Sequence, residues 1–232
     1  MIVLAALDMA GTTIDENGAV YVALNDAVVE DPINAGTQIS PEDLQTWMGT
    51  EKRAAIRALT EIVSGASPDD AAVDRMFQRF RDQLTEAYRA RPPTPIDGVL
   101  AAFDDLRERG VRIALTTGFS QDIAHSLLDS LGWTVGNQTG TVDAMVCGDE
   151  VAAGRPAPYL IFQAMERTGV DSVDQVVVAG DTVADLRAGI NAGVRGVVGV
   201  ASGALTLAQL APHRHTHLLS GVRDLPGLLD SL

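Results

Sequence analysis

Five short apolar runs recur along the chain, and each ends next to small, acidic or hydroxyl residues. Apolar runs this continuous are typical of strands buried on both faces, as in a parallel sheet. Amphipathic segments that end at glycine lie between several of them and predict helices. The predicted strands are Ile2–Leu7, Val111–Leu115, Ala144–Cys147, Gln175–Ala179 and Gly196–Val200, and the predicted helices include Ile96–Arg109, Gln121–Leu131 and Ala157–Thr168. The alternation predicts an α/β protein whose core is a doubly wound, Rossmann-like parallel sheet.

The stretch from residue 16 to 94 breaks this alternation and has the signals of helices only. Ser40-Pro41-Glu42-Asp43 has the capping residue, proline and early acids of a helix start, and Thr50 is predicted to cap a second helix. The proline-rich segment 92–95 is predicted to be a stiff return hinge. We therefore expect an all-helical cap domain, residues 16–94, inserted after the first strand of a core formed by residues 1–15 and 95–232.

The overall charge limits the class of partner. The chain of 232 residues carries a formal net charge of −14, which repels nucleic-acid backbones and anionic membrane surfaces, so neither is an expected partner. The single cysteine, Cys147, cannot form an internal disulfide and fits a reducing compartment. No apolar stretch has the length of a membrane span, and we expect a cytoplasmic protein.

One basic residue stands apart from the others. Lys52 is the only lysine, and every other basic residue is an arginine. Arginine cannot replace lysine where chemistry needs a neutral nucleophilic nitrogen. Taken alone, a lysine on a helix is most often solvated surface, so its meaning depends on the motifs around it.

Acidic and hydroxyl residues follow three of the predicted strands. Asp8, Thr117 and Asp181 stand where the first, second and fourth strands end. Because the carboxyl ends of parallel strands meet at one edge of a sheet, we expect these side chains to form a site there. Either acid alone would more often be a turn or capping residue.

The motifs around these residues resemble those of the haloacid dehalogenase-type hydrolases. Asp8-Met9-Ala10-Gly11-Thr12-Thr13 follows the first strand, and Gly180-Asp181-Thr182-Val183-Ala184-Asp185 ends the fourth. The resemblance implies that Asp8 is a nucleophile that attacks phosphorus, that Thr117 holds a phosphoryl oxygen and that Arg155 supplies fixed positive charge. It also implies a Mg²⁺ cofactor held by Asp8, the backbone carbonyl of Ala10, Asp181 and, mainly through water, Asp185.

The residue two positions after Asp8 limits the class of reaction that the site can catalyse. Phosphatases of this superfamily have an acid there, which protonates the leaving alkoxide. Here that position is Ala10, so the leaving group cannot depend on such an acid. Dehalogenases of the superfamily expel halide but work without a metal, which Asp181 and Asp185 argue against.

The chain resembles the phosphonatase branch, in which a cap lysine forms a Schiff base before the C–P bond breaks. The segment Met48-Gly49-Thr50-Glu51-Lys52 matches the cap motif of that branch, and Thr116–Gly118, Ala153–Pro156 and Gly180–Val183 match its core motifs. The resemblance implies that Lys52 is the Schiff-base former and that the substrate is a small 2-oxo-phosphonate. It also implies a homodimer formed through the cap. The residues predicted to contact substrate are Gly11, Thr12, Met48 and Gly118.

Two positions depart from the phosphonatase pattern. A proton-transferring histidine of that branch is replaced by Ala55, and a tyrosine by Phe119. The proton transfers of a Schiff-base reaction would then fall to water or to an unidentified group. An ordinary phosphate-ester phosphatase and a non-catalytic binding module on the same fold are the alternatives.

Overall fold

A parallel six-stranded sheet forms the centre of the protein. The computed structural model describes residues 1–136 and 140–232, and the sheet order is β5–β4–β1–β6–β7–β8. The strands of this sheet are β1 (Leu4–Asp8), β4 (Arg112–Thr116), β5 (Ala144–Val146), β6 (Val176–Gly180), β7 (Gly196–Val200) and β8 (His217–Leu219). A short antiparallel pair, β2 (Ile14–Asp15) with β3 (Thr94–Pro95), lies outside it. The predicted α/β, Rossmann-like fold is confirmed.

Gly196–Val200 has the predicted bounds, and the ends of the other four predicted strands differ from the prediction by one or two residues. The first strand was predicted to end at Leu7, but Asp8 is its last residue and is paired with Thr116 of β4. A polar side chain does not interrupt a strand, because the ladder is made by backbone groups. Asp8 is therefore held by the rigid sheet itself.

Helices cover both faces of the sheet. The helices of the described residues are α1 (Ala19–Val29), α2 (Pro41–Thr46), α3 (Lys52–Ser64), α4 (Asp70–Ala90), α5 (Val99–Glu108), α6 (Gln121–Ser130), α7 (Tyr159–Thr168), α8 (Val183–Ala192), α9 (Leu207–Leu210) and α10 (Leu225–Leu228). One hydrophobic core lies against α7 and α8 on one face, and a second lies against α5 and α6 on the other. Among the described helices, none combines the length and the apolar character that a bilayer crossing requires.

Four helices, α1 to α4, lie between β2 and β3, and we call them the cap. Helix α1 packs on α4 and α3, and the second hydrophobic core continues into this bundle. The predicted start of the lysine helix was wrong by one residue. The Glu51 carboxylate, not the Thr50 hydroxyl, caps α3 by accepting the backbone N–H groups of Arg53 and Ala54. Lys52 is consequently the first residue of the helix.

Candidate active site

Three carboxylates converge at the carboxyl edge of the sheet. Asp8 ends β1, Asp181 directly follows β6, and Asp185 lies in the first turn of α8. All three are buried, and one ligand atom from each lies within 4.8 Å of the others. The structure thus places Asp8 and Asp181 side by side at this edge of the sheet, together with Asp185.

The loop after β1 wraps closely around Asp181. Gly11 has φ of 84°, and a Cβ there would come closer than 3.0 Å to the Asp181 carboxylate. Thr12 donates its hydroxyl hydrogen to Asp181 over 3.3 Å, and the backbone N–H of Ala204 donates to the same carboxylate over 2.6 Å. The glycine is required here because it combines a left-handed backbone with a close approach.

Arg155 connects the carboxylates to the cap. Its Nη1 donates to Asp8 over 2.7 Å and to the carbonyl of Gly49 over 3.2 Å, and its Nε forms an ion pair with Asp185 over 2.9 Å. Its Nη2 donates to the hydroxyl and carbonyl oxygens of Thr116 over 2.8 and 2.9 Å. Both Nη atoms thus make two hydrogen bonds each within the protein. In this arrangement Arg155 positions the carboxylates rather than offering a free donor.

The carboxylates carry more negative charge than Arg155 offsets. Burial raises the pKa of Asp8 to about 7 against the opposing effect of Arg155, with a further increase from Asp185. Burial and the charge of Asp8 raise the pKa of Asp181 well above its usual range. Three buried acids around one guanidinium favour an additional cation, and carboxylate oxygens are ligands that hard divalent ions prefer. The donor set therefore fits a divalent metal.

Lys52 projects from the cap toward these acids. It is only 4% exposed, its Nζ donates to the carbonyl of Thr50 over 2.8 Å, and Nζ lies 5.5 Å from the centroid of the Phe119 ring. Burial lowers the pKa of Lys52 to about 8, although Asp8 and Glu51 act in the opposite direction. Desolvation therefore outweighs the attraction of the acids, and the neutral amine becomes accessible near pH 7.

A small cavity lies between the Lys52 amine and the Asp8 carboxylate. Its volume is about 20 Å³, enough for roughly one water molecule. The predicted site residues that line it are Asp8, Ala10, Lys52, Thr117, Gly118, Arg155 and Asp181. This volume is too small for a molecule of several heavy atoms while the cap is in this position.

Four other predicted site residues do not line this cavity. The Thr12 hydroxyl donates a hydrogen bond to Asp181, and Gly11 lines a neighbouring pocket of about 180 Å³. Met48 lines a cleft of about 350 Å³ between α2 and α8. Asp185 is not among the lining residues; its carboxylate forms an ion pair with Arg155 and accepts a hydrogen bond from the Thr182 hydroxyl.

The loop before Lys52 is pressed against the core. A Cβ on Gly118 would come closer than 3.0 Å to the backbone carbonyl of Thr50. The absence of a side chain at Gly118 therefore lets the cap backbone lie directly over the end of β4. This contact places the first turn of α3 above Asp8.

Five residues that were not predicted as site residues also line this cavity: Val20, Tyr21, Gly49, Phe119 and Thr182. Val20 and Tyr21 lie in the first turn of α1. The only signal for Tyr21 in the sequence is its position beside the apolar stripe of α1, and that signal is weak.

The fold and the site together define the class of protein. The chain belongs to the haloacid dehalogenase-like hydrolase family, whose model matches residues 6–199. Within that family it is related to phosphonoacetaldehyde hydrolases. It is 31% identical over 196 residues to the phosphonoacetaldehyde hydrolase of Bacillus cereus, a match that covers 81% of this chain and 71% of that protein. The predicted membership and the predicted hydrolase class are confirmed.

Solved structures agree with this assignment at the level of the fold. A hydrolase from Pseudomonas syringae superposes with a TM-score of 0.84 at 18% identity, over 100% of this chain and 99% of that one. A phosphonoacetaldehyde hydrolase-like protein from Oleispira antarctica superposes with a TM-score of 0.78 at 22% identity, over 99% of this chain and 91% of that one.

Proposed function

We propose that the protein hydrolyses the C–P bond of a small 2-oxo-phosphonate, phosphonoacetaldehyde or an analogue. The observation that carries this proposal is the buried amine of Lys52, which shares one cavity with Asp8 and has a lowered pKa. Ala10 supports it further, because a side chain without an acid cannot protonate an alkoxide leaving group. The phosphonoacetaldehyde hydrolases related to this chain make that aldehyde the first substrate to test.

The first step is capture of the carbonyl by Lys52. The neutral amine adds to the carbonyl carbon, and loss of water gives an imine that is protonated at nitrogen. The burial of Lys52 favours this step because it increases the neutral fraction of the amine. The resulting iminium is an electron sink two bonds away from phosphorus.

The second step is transfer of the phosphoryl group to Asp8. A carboxylate oxygen of Asp8 attacks phosphorus, the C–P bond breaks, and its electron pair passes through carbon to the iminium nitrogen to give an enamine. Asp8 needs no base because its ionised carboxylate is already a nucleophile. Arg155, which donates to Asp8 over 2.7 Å, orients that carboxylate.

Water completes the cycle by releasing phosphate from Asp8 and the carbonyl product from Lys52. One water molecule hydrolyses the aspartyl-phosphate to free phosphate and the Asp8 carboxylate. The enamine takes a proton on carbon and a second water releases the aldehyde or ketone from Lys52. Since imine formation released one water, the reaction consumes one water in total.

A magnesium ion is part of the proposal. Asp8, the backbone carbonyl of Ala10 and Asp181 would hold it, with Asp185 acting through water. When bound, the ion supplies positive charge that offsets the acids and the phosphonate. The excess of buried negative charge among the three carboxylates supports this assignment.

The assembly is also part of the proposal. We assign residues 16–94 to a cap domain, and residues 1–15 and 95–232 to the core. The proposal includes a homodimer formed through the cap, whose exposed apolar residues include Val22, Ile33 and Ile62.

Borohydride trapping tests the mechanism. The protein is incubated with phosphonoacetaldehyde, reduced and mapped by mass spectrometry, and we expect the adduct on the Lys52 peptide. Lys52→Arg should remove both the adduct and phosphate release. Phosphate release that persists undiminished in Lys52→Arg would contradict the Schiff-base mechanism, and preferential turnover of phosphate esters would favour a phosphatase.

A further inference from the structure

Tyr21 lies at the boundary between two cavities. It lines the catalytic cavity of about 20 Å³ and also the neighbouring pocket of about 180 Å³. Ala10 and Asp181 are the other residues that line both. Tyr21 belongs to α1, so the cap faces the catalytic cavity with a second element besides the start of α3.

The Tyr21 hydroxyl has no hydrogen-bond partner among the described residues. The Thr182 hydroxyl donates to Asp185, and each Nη atom of Arg155 makes two hydrogen bonds within the protein. The Thr117 hydroxyl accepts from the backbone N–H of Phe119 and retains its own hydrogen. Tyr21 and Thr117 are therefore the hydroxyls of the cavity lining with a hydrogen left to donate.

The charges around Tyr21 determine what its hydroxyl can do. A phenol is protonated at neutral pH, and burial together with Asp181 and Asp8 raises the pKa of Tyr21 further. The hydroxyl can thus donate a hydrogen bond but does not become a base. The acids that act on it most strongly, Asp181 and then Asp8, belong to the side of the cavity where phosphorus must lie for Asp8 to attack it.

We infer that the Tyr21 hydroxyl donates a hydrogen bond to a phosphoryl oxygen of the substrate and of the phosphate product. The inference rests on the proposed function for the identity of the ligand, an anion with phosphoryl oxygens. Such an anion brings acceptors into a region dominated by carboxylates, where an unengaged donor is needed. Tyr21 would also couple the position of α1 to the occupancy of the phosphoryl site, because it approaches that site from the cap.

The substitution Tyr21→Phe removes the hydroxyl and keeps the ring. We expect inorganic phosphate, titrated calorimetrically in the presence of MgCl₂, to bind roughly 10- to 100-fold more weakly to Tyr21→Phe, the range for a hydrogen bond to a charged group. In steady-state assays KM should rise more than kcat falls. Tyr88→Phe and Tyr159→Phe are matched controls, because Tyr88 lines a separate cavity beside α6 and Tyr159 is exposed on α7.

Unchanged phosphate affinity in Tyr21→Phe overturns the inference, and so does a wild-type chain that binds no phosphate. A second measurement needs no variant of Tyr21. The chain has three tyrosines, so ring-labelled tyrosine gives three NMR signals that the two control variants assign. We expect phosphate to shift the Tyr21 signal most, and an unmoved Tyr21 signal overturns the inference.

The test of Tyr21 and the test of the proposed function can fail independently of each other. Phosphate binding requires neither Lys52 nor C–P cleavage, so the titration can be repeated in Lys52→Arg. Weak phosphate binding by Tyr21→Phe without a trapped imine would retain the role of Tyr21 and reject the phosphonatase mechanism. A trapped imine with unaltered phosphate affinity in Tyr21→Phe would do the reverse.

Discussion

The pH dependence of imine formation at Lys52 is the sharpest consequence of its burial. Burial lowers the pKa of this amine from 10.5 to about 8, a change of about 3 kcal/mol in the balance between its two forms. At pH 7 about a tenth of the amine is then neutral, compared with roughly three parts in ten thousand for an unperturbed lysine. The reactive fraction is therefore about 300-fold larger.

The direction of this pH dependence follows from the protonation state in which Lys52 reacts. Only the neutral amine adds to a carbonyl, so the rate should rise about tenfold per pH unit below pH 7 and level off above the pKa of Lys52 near 8. The assay is reductive trapping of acetaldehyde on the Lys52 peptide between pH 5 and 10. Acetaldehyde has no ionisable group, so the profile reports the protein alone.

Asp8→Asn separates the effect of burial on the pKa of Lys52 from the opposing effect of the Asp8 charge. The negative charge of Asp8 raises the pKa of Lys52 against the effect of burial. Removing that charge should move the midpoint of trapping below 8 while phosphate release is lost. A wild-type midpoint near 10.5, or a midpoint that moves upward in Asp8→Asn, would refute the electrostatic reasoning.

Three further outcomes are expected. Gly118→Ala should lower kcat/KM by at least about tenfold, because its Cβ would collide with the Thr50 carbonyl and hold the cap away from the core. Gly227→Ala is the control and should not lower it, because the space around Gly227 is open. Equal activity of the two variants would contradict the contact between Gly118 and the cap. Ala10→Asp restores an acid beside the nucleophile and should increase phosphate-ester hydrolysis by up to ~100-fold relative to C–P cleavage, measured as the ratio of the two kcat/KM values. The rise in Tm on adding Mg²⁺ should be larger at pH 8 than at pH 6, because the pKa of Asp8 is about 7 and a protonated carboxyl is a poor ligand. A rise in Tm that does not depend on pH would argue against Asp8 as a ligand.

The strand-end residues could be predicted because the geometry of parallel sheets is regular. Continuous apolar runs defined the strands, and the carboxyl ends of parallel strands meet at one edge, which brings Asp8, Thr117 and Asp181 together. The errors were small and local. Asp8 lies within β1 rather than after it, and Glu51 rather than Thr50 caps α3.

The properties that depend on three-dimensional enclosure could not be predicted. The direction of the Lys52 pKa shift is the difference between desolvation and the attraction of Asp8, and the sequence gives neither burial nor distance. The hydrogen bonds and the ion pairs of Arg155 involve residues from four separate segments. Tyr21 was missed because the first turn of α1 gives no pattern that distinguishes a residue of the cavity wall from one of the bundle.

The enclosure of Lys52 has a further consequence for selectivity in a mixture of reagents. A neutral amine on a protein surface is open to reaction with sugar aldehydes and reactive esters in solution. Here the nitrogen opens onto a space of about 20 Å³, too small to admit those compounds while the cap is in this position. The same packing that activates the amine thus protects it from unwanted modification between turnovers.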